Sequence, residues 1–480
     1  MLLWLLILLF IFLLWIAKQV AKPKNYPPGP RWYPFFGCNN IILSRIPQYG
    51  SQWKVISEMA KEYSTDVLGL KMGQENVVVV FGEKNIRQVS CDKEFDARPD
   101  SFTLRLRCLG QRKGITFVDG PLWREHRMFT MKNLRNQGLG KLSMDSDIHN
   151  ALNNVLSYIE KSNGNPINIK AIISMNVMNI YWKYIADDQK LLNFINLLNE
   201  RTKVSTMAGG WLNQWPWLRF LAPEWSGYAP IKRMNAQMTE IINDSIKRHL
   251  DKDGMGTDFM YSFLEEMHNQ TPTYTVDQLR GICLDFLIAG AQTVGNTFGF
   301  IILSAIRNRD IQDKVHNEIV NNLCDVLPSW DDSRRLIYTS AFVAEVQRFY
   351  TLAPFSGPRR VLTDVQIGKY TVPKGTTVLV SLGDLHSDSR HWDEPSKFNP
   401  GRFIDSNGTF NISAPWHPFG IGRRKCPGQP LAKAALFIIL VGILQKYRIE
   451  SYNGVLPSDE PIIGLLSEPR PFDARFIKRV

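Results

Sequence analysis

Residues 276–307 restrict what this chain can fold into more than any other stretch. Thr275-Val276-Asp277-Gln278 has the form of a capping box, and an apolar run then continues to about Arg307. As an α-helix this is roughly 32 residues, or about 48 Å. It is apolar on most sides, so it must pass through a core rather than lie on one. In its middle stands AGAQT, Ala289 to Thr293. Glycine costs about 1 kcal/mol against alanine inside a helix. The Ala-Gly pair therefore predicts a close approach to the backbone, by a large group or by a tightly packed second helix.

A core that holds such a helix is affordable, because 44% of the 480 residues are apolar. NVVVVFG (Asn76 to Gly82) reads as a buried strand bounded by turn residues. YTVPKGTTVLVSL (Tyr370 to Leu382) reads as a β-hairpin turned at Pro373–Gly375. Most other periodic segments look helical, so the expected class is mainly α with small β-sheets. No linker, repeat or low-complexity segment divides residues 31–480, which predicts one large domain.

The first 17 residues, MLLWLLILLFIFLLWIA, are apolar and uncharged, and Lys18, Lys22, Lys24 and Arg31 follow. As a helix they reach roughly 25 Å, enough for the hydrocarbon core with snorkelling lysines. A cleaved leader carries its charge before the apolar run and a small-residue site after it. Here the order is reversed, so residues 1–17 read as a retained anchor, with the body on the side of the positive flank, the cytosol. Residues 18–30, ending in PPGP (Pro27 to Pro30), read as a basic, stiff hinge. The net charge of +12 is spread along the chain without an aromatic-interleaved nucleic-acid motif. It fits an anionic membrane surface or an acidic protein partner better than nucleic acid.

Cysteines stand at 38, 91, 108, 283, 324 and 426, with no CxxC, and the eight histidines form no HExxH pair. This excludes a disulfide framework and a zinc knuckle. One cysteine differs from the rest: FGIGRRKCPG, Phe419 to Gly428, puts Cys426 in a glycine-rich turn behind Arg423, Arg424 and Lys425. Cations lower a thiol pKa, and Gly422 and Gly428 let backbone N–H groups turn toward the sulfur. A lone cysteine is commonly a small buried hydrophobe. One thiolate cannot hold zinc or an iron–sulfur cluster, whereas haem needs a single protein ligand.

Phe419-x-x-Gly422-x-Arg424-x-Cys426-x-Gly428 resembles the haem-binding signature of the cytochrome P-450 superfamily. EVQR supplies E-x-x-R at Glu345 and Arg348, FNPGRF resembles the family's F-x-P-x-R-F with Arg402, and WREHR supplies W-x-x-x-R at Trp123 and Arg127. AGAQT resembles the oxygen-binding helix, and the motifs come in the family's order over essentially the whole chain. The resemblance implies haem b with Cys426 as the metal ligand, whose electron donation favours O–O cleavage. It implies Trp123, Arg127, Arg424 and Arg359 as propionate partners, Phe419 packed near the cysteine, and Glu345, Arg348 and Arg402 as a buried structural network. The cations near Cys426 would then neutralise thiolate and propionate, on the side where an acidic electron donor docks.

The implied activity is monooxygenation of an apolar small molecule, terpenoid, steroid, fatty-acid-like or xenobiotic. Electrons come from NADPH through a flavoprotein reductase, with cytochrome b5 as a further donor, at the endoplasmic reticulum membrane. Rearrangement of a peroxide without external electrons, and a haem sensor or carrier, are the rival classes. Thr293 takes the place of the oxygen-activating alcohol, but Gln292 stands where the family carries an acid and Val294 where it commonly has a second hydroxyl. WREHR, APEWSGY (Ala222 to Tyr228) and GPRRV resemble arthropod members. Trp211, Trp215, Trp217 and Trp225 are placed either to dip into the bilayer interface or to pack in a core. Sequons lie at Asn243, Asn269, Asn407 and Asn411.

Overall fold

The computed structural model describes residues 2–186, 212, 215–251 and 256–479. Its longer helices include α1 Leu2–Val20, α2 Gly120–Asn136, α3 Ser143–Lys161, α4 Lys170–Ala186, α5 Tyr228–Asp251, α6 Val276–Arg307, α7 Arg309–Leu323, α8 Ile337–Tyr350 and α9 Gln429–Lys446. The class is mainly α with small sheets, as expected. Among the described residues three helices are long and apolar enough to cross a membrane, but α6 and α9 are largely buried, whereas no residue of α1 is. The first two are therefore core helices, and α1 alone projects an uncovered apolar surface.

Thr275 caps α6, accepting at Oγ1 from the N–H of Gln278 at 3.2 Å. Gln278 uses its own amide elsewhere, exchanging two hydrogen bonds with the backbone of Gly114. Only half of the expected capping box forms, because the buried Gly114 backbone needs those partners more than the helix end does. The small residues of α6 are explained by contact. A Cβ on Gly290 would meet the Tyr181 ring of α4 at 3.2 Å, and one on Gly295 would lie 1.8 Å from Ser174 Oγ. The close approach at Gly290 is thus made by a helix side chain, while the other side of that turn faces a cavity.

The main sheet has the order β1-β2-β6-β3, from β1 Val67–Met72, β2 Glu75–Val80, β3 Arg359–Arg360 and β6 Thr377–Val380. The stretch Tyr370–Leu382 is not a hairpin. Its first part, β5 (Tyr370–Val372), pairs with β4 (Val365–Ile367), turning at Gly368, whose φ is +58°. Its second part, β6, runs parallel to β2 and antiparallel to β3, with all four residues buried. A strand buried on both faces is worth more inside a sheet than paired with its sequence neighbour, and Pro373, which cannot donate to a ladder, marks the exit from one sheet to the other.

The PPGP segment lies against β1: Gly69 N–H donates to Pro28 O at 2.7 Å, and a Cβ on Gly29 would strike Gly69 O. The end of α1 is held to the same strand, Lys71 Nζ donating to the carbonyl of Gln19 at 2.7 Å.

Candidate active site

The turn before α9 is built by glycines in the left-handed region, Gly420 (φ +69°) and Gly422 (φ +74°). A Cβ on Gly422 would meet Ser90 O at 2.0 Å, so no side chain fits there. Cys426 N–H closes the turn onto Phe419 O at 3.0 Å. Burial pushes the Cys426 thiol up; the N–H groups of Gly428 and Gln429 and the charges of Arg127 and Lys425 oppose it without prevailing. The expected lowering by the three preceding cations does not occur. Arg423 is spent on Asp96 at 2.7 Å, and Arg424 donates to the carbonyls of Asp96 and Val118. The amides that serve the sulfur are those at 428 and 429 rather than Gly422. A thiol in this state is ionised by coordination itself. Among the described residues no group of three His, Cys, Asp or Glu is placed to hold a metal ion, which leaves a single thiolate as the candidate ligand.

Cys426 borders a cavity of about 290 Å³ whose opposite wall is α6, with Ala289, Gly290, Thr293 and Thr297. Thr293 Oγ1 donates to Ala289 O at 3.0 Å, and Thr297 Oγ1 to Thr293 O at 2.9 Å. Gln292 is not among the lining residues. Tyr181 joins the two walls, its hydroxyl donating to Gly428 O at 3.0 Å.

Three guanidinium groups line this cavity: Arg98, Arg359 and Arg424. Burial holds all three below the ordinary arginine range, Arg424 at about 9, Arg359 at about 10 and Arg98 well down, and repulsion from Arg359 adds to it at Arg98 and Arg424. Arg98 is satisfied by carbonyls, those of Thr116, Gly357 and Pro358. Arg359 Nε and Nη1 and Arg424 Nη1 are buried without acceptors among the described residues. Such a cluster is costly unless anions enter it. The two propionates of haem b are anions of the required kind, so the residues present fit that group. Trp123 is buried with the Arg424 guanidinium 3.7 Å from its ring centroid, and Arg127 donates to Lys425 O at 2.7 Å. Both therefore brace the cysteine turn from α2. Arg98 was missed from sequence because ARPD carries no periodic or motif signal, and its company exists only in space.

Glu345 and Arg348 form a bidentate pair at 2.7 and 2.8 Å, both fully buried, and Arg402 Nε reaches Glu345 at 3.2 Å. The pair is tied to the cysteine turn through a residue not singled out from sequence. Arg348 Nη1 donates to His386 O, and the buried His386 Nε2 accepts the His417 N–H at 3.0 Å. His386 Nδ1 lies 2.9 Å from Thr351 Oγ1, whose own proton goes to Arg348 O. A backbone N–H can only donate, so His386 is the Nδ1–H tautomer, and burial drives its pKa down to about 3.

A family model described as Cytochrome P450 matches residues 27–476. The chain is 36% identical to the Drosophila melanogaster protein described as "Probable cytochrome P450 305a1", covering 97% of this chain and 96% of that one. It is 34% identical to "Farnesoate epoxidase" of Bombyx mori, over 99% and 98%. It is 30% identical to "Cytochrome P450 2C70" of Rattus norvegicus, again over 99% and 98%. The expected likeness to arthropod members is borne out by the first two. The family uses haem b, with electrons drawn from NADPH through a reductase. With near-complete coverage at these identities, and with the cysteine turn facing the Thr293 wall, the chain belongs to the cytochrome P450 family and is a haem-dependent monooxygenase.

Proposed function

We propose that this chain inserts one oxygen atom from O2 into an apolar small molecule, by hydroxylation or epoxidation, at the endoplasmic reticulum membrane. The observation that carries this reading is the apposition of Cys426 and Thr293 across one cavity edged by unpaired arginines. Cys426 would hold the haem iron; Arg98, Arg359 and Arg424, braced by Trp123 and Arg127, would hold its carboxylates. When bound, haem supplies the redox chemistry that activates dioxygen. Phe419 closes the cysteine turn, its carbonyl accepting from the Cys426 N–H. Phe286, Leu352, Ala353 and Leu466 wall the cavity with apolar groups and exclude water from the reacting region. Ser356 Oγ, buried on the same wall and without a partner among the described residues, offers one hydrogen bond to orient a substrate oxygen. The Thr293 hydroxyl can turn its proton from Ala289 O into the cavity; the Gln292 amide cannot titrate near neutrality.

Among apolar substrates, the named activity of the Bombyx mori relative supports an isoprenoid acid. The test is turnover of the full-length protein with a flavoprotein reductase, NADPH and farnesoic acid, read by mass spectrometry. Substrate-dependent NADPH and O2 consumption with a product heavier by one oxygen atom is expected. Product formed without NADPH would instead establish rearrangement, and haem binding with no turnover of any apolar acid, steroid or fatty acid would leave a sensor or carrier.

Membrane attachment is supported by α1 and an exposed aromatic face, and the cytosolic side by the positive flank after α1. Phe220 and Leu221 are 72% and 76% exposed, with Trp217 and Trp225 also exposed, which supports dipping into the bilayer over core packing. Trp215 instead packs edge-on against Phe36 at 5.3 Å, and Trp211 lies outside the described residues. The exposed Lys425 of the cysteine turn supports docking of a flavoprotein reductase, with cytochrome b5 as a second donor.

A further inference from the structure

A second cavity, of about 470 Å³, opens between α8, α9 and the segment 409–416. Its walls are mainly apolar, with Trp330, Ile337, Val343, Phe410 and Phe437. No carboxylate lines it, and its two charged lining groups, Arg334 and Lys433, are both cations. Lys433 is half-buried on α9 with its Nζ 5.6 Å from the Trp416 ring centroid, and burial and Lys425 press its pKa down. No carboxylate among the described residues pairs with it. Trp416 Nε1–H is buried without an acceptor among the described residues. A half-buried ammonium and an orphaned indole donor each cost free energy, and a single guest with acceptor oxygens and a negative charge relieves both. The apolar walls require that the remainder of such a guest be apolar.

We propose that this cavity is a second ligand site, taking an amphiphilic monocarboxylate whose head lies between Lys433 and the Trp416 N–H and whose body lies on Val343, Phe410 and Phe437. Its volume falls among small-molecule sites, roughly 300–1,000 Å³. An acidic side chain of a protein partner would meet the same charges, but it would leave the apolar walls largely unfilled. Gln347 lines both this cavity and the one at Cys426, so a guest here borders the haem site without entering it.

The test uses full-length holoenzyme whose Cys426 cavity is saturated with a haem-coordinating azole. It is titrated calorimetrically with phenylbutyrate and with phenylbutanol, the same tail without the charge. One equivalent of the acid should bind, about tenfold or more tighter than the alcohol. Lys433→Met and Trp416→Phe should each weaken the acid by about tenfold and leave the alcohol unchanged. Ala344→Phe should fill the cavity and abolish both. The reduced, carbon-monoxide-bound absorption band certifies that each variant is folded around haem. Equal affinity for acid and alcohol, no acid binding once the azole is present, or wild-type affinity in both Lys433→Met and Trp416→Phe overturns the proposal. An absence of acid binding together with a raised reductase requirement in Lys433→Met would assign the groove to a protein partner, and also overturns it.

Discussion

The N–H groups of Gly428 and Gln429 point their charge at the Cys426 sulfur, yet burial keeps the free thiol protonated at neutral pH. Coordination to the haem iron would have to ionise it, and a serine hydroxyl, far less acidic, should not follow. Cys426→Ser is expected to remove the family's long-wavelength absorption band of the reduced carbon-monoxide complex, while each of the other five cysteines can be replaced without losing it. Retention of the band in Cys426→Ser would refute the ligand assignment. Across the cavity, Thr293 is the lining hydroxyl of the α6 turn that Gln292 shares but does not present to the cavity. Thr293→Ala should sharply raise the hydrogen peroxide released per NADPH consumed, and Gln292→Glu should change it only modestly; unchanged coupling in Thr293→Ala places the proton path elsewhere. His386 carries a pH signature. Its folded pKa near 3 lies below its ordinary 6.5, so between those values the unfolded chain binds a proton that the folded chain does not. Stability from this residue is complete above pH 6.5 and is lost as pH falls toward 3, at up to about 1.4 kcal/mol per unit. His386→Gln, which keeps an acceptor for the His417 N–H but cannot titrate, should show a shallower loss of stability with acid; an unchanged profile in denaturant titrations would rule His386 out as its source.

Among the elements, α6 shows how a propensity rule yields to packing. Alanine is the better helix former by about 1 kcal/mol, so Gly295→Ala would stabilise an isolated helix. Here the new Cβ would lie 1.8 Å from Ser174 Oγ and 3.3 Å from Lys170 O on α4, and the second contact is backbone that cannot rotate away. Gly295→Ala should therefore lower stability by about 1–3 kcal/mol, and Ser174→Gly should recover part of it in the double mutant; a rise in the melting temperature of Gly295→Ala would contradict this packing. The α8 ion pair works at the same scale. Buried charges that lose one partner are expensive, and Glu345 serves Arg348, Arg402 and the Asn399 N–H together. That network fixes α8 against the segment leading to Cys426. Its E-x-x-R pair was legible in the sequence because i,i+3 spacing is local. The His386 link was not, since thirty-one residues separate it from His417.

For the whole molecule, the exposed α1 and the exposed Phe220–Leu221 face fit the proposed attachment of the body to one side of a bilayer. Asn269, Asn407 and Asn411 are exposed in the described structure, so a lumenal body would offer them to glycosylation. No endoglycosidase-sensitive mass is expected on the protein from eukaryotic cells, and glycan at Asn407 or Asn411 would reverse the topology. The sequence by itself determined the apolar N-terminal helix, the length and N-cap of α6, the glycine-rich turn at Cys426 and the ion-pair motif, because each rests on a periodicity or a spacing of a few residues. Only the tertiary structure decided the rest. It drew β6 away from β5 into the centre of another sheet, because burial on both faces outweighs pairing with the nearest strand. It reversed the expected direction at Cys426, because desolvation acts through everything packed around the sulfur whereas neighbouring cations can be claimed by partners such as Asp96. And it gathered Arg98 with Arg359 and Arg424, 261 and 326 residues further along the chain, into one buried cluster, because buried charge is a property of the assembled interior and has no local signature.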